Sequence, residues 1–119
     1  MTTPVPAGEL AAAAEIRGAA ARYLAETRDQ PPPGVPPDFL PHLPREVGEP
    51  ARDADGRWRL GRWTLVREGD RSRLESYPPG GINAAHRVWF LLQLERRDGA
   101  WQVLPPGVQF VHAWAKGQR

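Results

Sequence analysis

The chain has 119 residues, 40% of them hydrophobic and 25% charged, with a formal net charge of +2 and no cysteine. That length fits one domain able to bury about 65% of its unfolded surface, and the lack of cysteine excludes a disulfide framework and any thiolate metal site. The longest run of large apolar side chains, residues 88–92 (VWFLL), is far short of the roughly 20 residues a membrane span needs, and Glu9, Glu15 and Arg17 spoil the alanine-rich N-terminal segment as a signal-peptide core. The expectation is a soluble, cytoplasmic protein with no membrane partner.

The basic residues are fifteen Arg against a single Lys, unevenly placed. Residues 1–50 carry four Arg and seven acids, whereas residues 51–119 carry twelve basic residues against seven acids. The asymmetry makes the second half the more cationic one, although a net +2 is a weak basis for non-specific binding to nucleic acid.

Residues 7–28 form the first expected element, a helix. At 3.6 residues per turn, Ala13, Ile16, Ala20, Tyr23, Leu24 and Thr27 share one face, with Glu15, Arg22 and Glu26 opposite. The apolar stripe is narrow and mostly of small residues, which allows close approach to a sheet. The helix stops where seven prolines fall between Pro31 and Pro44, because proline lacks an N–H and disfavours helix in the residue before it. Residues 29–50 are therefore read as a stiff strap with one short turn at 38–42, pinned to the core by Phe39, Leu40 and Leu43.

From Trp58 onward the pattern has period two. Strands are expected at 57–67, 73–77, 86–96 and 101–115, with turns at EGDRS and at Asp98-Gly99 and a looser PPGGIN loop between the second and third. DGRW at 55–58 and DGAW at 98–101 repeat one turn device, and the first copy points to a further short strand near Glu46 and Val47. The fold expected is α+β, one long N-terminal helix packed on a bent antiparallel β-sheet of four to five strands, in a single domain of residues 1–119.

The segment GRWRLGRWTL poses the choice between a stacking platform for nucleic acid and ordinary core tryptophans. Trp58 and Trp63 are five apart, so in one regular strand they point to opposite faces, which argues against a single aromatic platform. Arg57, Arg59, Arg62, Arg67, Arg73 and, further on, Arg87 are the residues a nucleic-acid surface would use, with Glu68, Asp70 and Glu75 interleaved among them. In the last strand the large apolar residues sit at odd positions at Trp101 and Val103 and at even positions from Val108 to Trp114. That change of parity across Pro105 to Gly107 calls for an extra residue. A one-residue bulge would set His86 opposite His112, with Tyr23 as the helix residue nearest them.

His86, His112 and Tyr23 are therefore the candidate acid–base group. No nucleophile motif, phosphate-binding glycine loop or metal-ligand spacing occurs, so neither metal nor cofactor is expected. Strand 86–96 is apolar on both sides, and Trp89, Leu91, Val111 and Ala113 on its second face are expected to meet another layer, a second subunit of a homodimer.

A helix followed by a meander whose penultimate strand HRVWFLLQLERRDG turns into AWQVL resembles the NTF2-like and cystatin-like α+β folds. The resemblance implies a ligand or catalytic pocket between helix and sheet and dimerisation through the sheet; the loops PPGGIN and PPGVQF do not match the protease-inhibiting loops of cystatins. The function expected is a small non-enzymatic binding or accessory domain that engages a protein partner or small ligand through the sheet or the helix–sheet cleft. Nucleic-acid binding through the arginines of 57–73 is the alternative, and an NTF2-like enzyme using His86 and His112 the second alternative.

Overall fold

The computed structural model describes residues 7–79 and 86–114. Its elements are a helix α1 (Ala7–Glu26), a single 3-10 turn (Leu40–His42), and seven strands: β1 (Pro50–Arg52), β2 (Trp58–Leu60), β3 (Trp63–Glu68), β4 (Arg71–Ser76), β5 (His86–Arg97), β6 (Ala100–Val103) and β7 (Gln109–Trp114). All strand pairs are antiparallel, in the order β1-β2-β3-β4-β5-β6, and β7 also pairs with β5. The class is α+β with one helix on one sheet.

The helix buries Ala13, Ile16, Ala20 and Leu24 completely. These are the small and branched members of the stripe read from the sequence, and their low bulk lets the helix lie close to the sheet. α1 lies near both β1 and β6, the two ends of the strand order, so the sheet curls around it. Opposite it stand Trp63, Leu60, Leu74, Phe90, Leu92 and Leu94, all fully buried. The strap runs across the open side of this core: Leu43 and Val47 are buried, Phe39 and Leu40 are packed against the cluster, and the Phe39 ring centroid is 5.2 Å from that of Phe110.

The sheet has seven strands where four or five were expected, and three local features account for the difference. First, residues 57–67 are not one strand. Gly61 and Arg62 form a two-residue turn between β2 and β3, with Gly61 at φ 70°, the conformation a hairpin loop asks of its first residue. Pairing then sets Leu60 beside Trp63 and Trp58 beside Leu65. Both tryptophans consequently lie on the core face, correcting the opposite-face reading: a reversal of the chain between them cancels the odd spacing. Second, the strand before the Asp55-Gly56 turn is β1, a few residues later than Glu46 and Val47.

Third, the last strand is divided. β6 pairs with the C-terminal part of β5 through the Asp98-Gly99 turn, with Leu94 opposite Val103. The chain then leaves the sheet in a turn closed by the Gly107 N–H donating to the Leu104 carbonyl at 2.9 Å. It returns as β7 on the N-terminal part of β5, with Phe90 opposite Phe110 and Val88 opposite His112. The register therefore advances by three residues across the loop instead of one. His86 pairs with Trp114, which corrects the expected His86–His112 pairing.

Candidate functional site

The face of the sheet turned away from α1 follows from alternation. Arg59, Thr64 and Glu75 lie in one cross-strand row with Leu91 and Gln109, and Val66, Arg73 and Gln93 lie in the next. Because Trp58 pairs with Leu65, Arg57 stands beside Val66. Tyr77 follows β4 directly and its ring centroid is 5.6 Å from that of Trp89, the planes tilted by 34°. Arg87 lies two residues before Trp89 on β5, opposite Ala113.

Of these residues Arg57, Thr64, Val66, Arg73, Glu75, Tyr77 and Arg87 border an open cleft of about 590 Å³, which Glu9 of α1 also lines. Four of the six arginines singled out in the sequence, Arg57, Arg67, Arg73 and Arg87, border this cleft, joined by Arg52. They differ in their engagements. Arg73 is ion-paired with both Glu68 and Glu75, and its hydrogen bond to Glu68 holds its guanidinium above the usual arginine value. Arg67 has its guanidinium 5.8 Å from the Trp101 ring centroid, and Arg52 lies 5.5 Å from that of Trp58. Among the described residues, no carboxylate stands within ion-pairing distance of Arg57 or Arg87. Arg59 donates to Thr64 at 2.8 Å and pairs with Asp53 at 3.3 Å. Arg62, at the β2–β3 turn, lines a separate groove beside the strap and Arg17.

Tyr77 is 38% exposed. Desolvation, with Glu75 adding to it, pushes its phenol above 10.0, while the charges of Arg87, Arg73 and Arg57 act in the opposite sense. The phenol is thus neutral at physiological pH, a donor beside cationic groups. Trp89 is half-buried, and its indole N–H is buried with no hydrogen-bond acceptor among the described residues. Leu91, Val111 and Ala113 are also half-buried on this face.

Tyr23 occupies a different environment from the one expected. Its hydroxyl accepts the Val108 N–H at 3.3 Å, and its ring fills the space beside Gly107 where a side chain would begin. The helix residue thus clamps the loop between β6 and β7. His112 is exposed, in register with Val88, while His86 pairs with Trp114. Among the described residues no group of three or more His, Asp or Glu side chains gathers as metal ligands would.

The association of Tyr77 with Trp89 escaped the sequence reading because a nine-residue connection separates β4 from β5, and a loop of that length fixes no register. Arg52 escaped because β1 is only three residues long, too short to show alternation. No protein-family model, curated protein or solved structure matches the chain.

Proposed function

We propose that the chain is a non-enzymatic binding module that holds an anionic ligand on the outer face of its sheet. The observation that carries this reading is the gathering of Arg57, Arg73 and Arg87 around Tyr77 in one cleft, where Arg57 and Arg87 have no carboxylate within ion-pairing distance among the described residues. Guanidinium groups beside an aromatic pair supply charge-assisted donors and a flat apolar contact, a combination suited to phosphate or carboxylate. The space between helix and sheet is filled by Ile16, Leu24, Trp63 and Phe90, each fully buried. In the NTF2-like or cystatin-like fold that we propose for the chain, the ligand surface therefore moves from the inner pocket to the outer face.

Retention on immobilised heparin tests the reading. The wild-type chain is expected to elute at a clearly higher salt concentration than the Arg57→Ala, Arg87→Ala double variant, since each phosphate or sulfate contact adds to the salt dependence. Equal elution of the two would defeat it. A second reading, self-association through Trp89, Leu91, Val111 and Ala113, is favoured by their half-burial on one face; a monomer mass by light scattering at high concentration would remove it.

A further inference from the structure

We infer that the anionic ligand is a short segment of single-stranded nucleic acid; this rests on the reading of the outer cleft given above. The length of the cationic track is the first argument. Arg57 stands in the cross-strand row of Val66, Arg73 and Gln93, and Arg87 lies six residues from Gln93 along β5. At about 3.4 Å per residue, the backbone positions of the two arginines are offset by roughly 20 Å along the strand direction, and their side chains converge on Tyr77 from its two sides. A nucleoside triphosphate carries its phosphates on one side of its base, whereas the two cations flank Tyr77 on both sides. A single strand, at about 3.4 Å per nucleotide when stacked, covers that length with roughly six nucleotides, inside the range of about 4 to 16 seen for single-strand sites on small β-domains.

The second argument is what lies between the two cations. Tyr77 is exposed, neutral and braced by Trp89, and it sits between the row of Arg57 and the position of Arg87. Bases stack on such rings without regard to sequence, whereas a duplex presents no free base face to an aromatic side chain in a shallow cleft. Two carboxylates line the cleft, Glu9 and Glu75, and Glu75 is held by Arg73. Among the described residues, Arg57 on one side of Tyr77 and Arg87 on the other have no carboxylate within ion-pairing distance.

Fluorescence anisotropy with labelled oligothymidylates of three, six and twelve nucleotides, a hairpin duplex of matched length and ATP as competitor tests the inference. The six- and twelve-nucleotide strands are expected to bind alike, the three-nucleotide strand and the duplex at least about tenfold more weakly. Arg57→Ala and Arg87→Ala should each lower the salt slope by about 0.7. Tyr77→Ala should weaken binding about tenfold with the slope unchanged, and Tyr77→Phe should restore it. These residues are on the surface, so thermal melting of each variant close to wild type separates lost binding from lost folding. Duplex binding equal to single-strand binding, effective competition by ATP at equal concentration, or an unchanged affinity in Tyr77→Ala would each overturn the inference. Retention on heparin without oligonucleotide binding would overturn it while leaving the anion reading in place; absence of both would remove both.

Discussion

Tyr23 and Gly107 occupy one another's space: the phenol ring of the helix residue lies where a side chain at position 107 would begin, and its hydroxyl holds the next residue's N–H. Gly107 also has φ 87°, a conformation that costs other residues about 1–3 kcal/mol. Gly107→Ala is therefore expected to lower stability by at least that amount, about 5–15 °C in Tm for a chain of this size. The Tyr23→Ala change should cost less in the Gly107→Ala background than in the wild type, because one substitution relieves the clash the other creates. Additive losses in a thermal double-mutant cycle would contradict the clamp.

The strap and the β2–β3 turn meet through two glycines. A Cβ on Gly48 would stand 2.7 Å from the Gly61 backbone, and one on Gly61 would stand 2.9 Å from the Gly48 nitrogen. Neither contact can be relieved by rotating a side chain. Gly48→Ala should cost about 1–3 kcal/mol through forced separation of the two segments, seen as a lower denaturant midpoint. A neutral Gly48→Ala would mean that the strap is not seated against this turn.

Placing both tryptophans of GRWRLGRWTL in the core makes their truncation expensive. Trp63→Ala should destabilise by about 3–5 kcal/mol, and Trp58→Ala, at the rim with 8% exposure, by somewhat less. Arg62→Ala, on the exposed turn between them, should stay within about 0.5 kcal/mol. Chemical denaturation of the three variants checks the hairpin: a single strand through 57–67 would leave one of the two tryptophans nearly neutral.

Asp53 sets an acid limit on the turn before β2. Its carboxylate accepts the backbone N–H of Arg57 at 3.0 Å and of Asp55 at 2.9 Å. The Arg57 hydrogen bond, then that of Asp55 and the charge of Arg59, hold its pKa below 3.8. Since the folded value is the lower one, the unfolded chain takes up this proton first. The contribution is complete above 3.8 and is lost as pH falls through the folded value. Carboxyl NMR titration should show Asp53 titrating below the ordinary aspartate range, and Asp53→Asn should remove that acid transition from the Arg57 amide. An Asp53 midpoint at or above 3.8 would break the account.

Side-chain period carried much of this architecture. The stripe of Ala13, Ile16, Ala20 and Leu24 announces a helix that must press closely on a sheet, and the apolar alternation of β5 on both sides announces a central strand. Period two also reports an odd register change between Val103 and Val108, but an advance of one and an advance of three leave the same imprint on alternation. Only the path of the chain from Leu104 to Gly107 distinguishes them, and the His86–His112 pairing depended on that choice. Gly61-Arg62 was obscured for a related reason: a turn placed between an odd-spaced pair preserves the face of both residues, so the spacing alone reads as its opposite. The cleft was visible as a list of arginines and not as a place, because its assembly depends on the β4–β5 register, which no short turn enforces.

The division of the final strand has a consequence for behaviour in crowded solution. A sheet margin with unpaired backbone groups is a template on which a second chain can add and then a third. Here that margin is broken into lengths of four and six residues, separated by a segment with two prolines and the Tyr23-clamped glycine. An incoming extended chain finds no long uninterrupted row of donors and acceptors to copy, so the Pro105-Pro106-Gly107 excursion acts as a stop against fibrous growth along this side of the molecule.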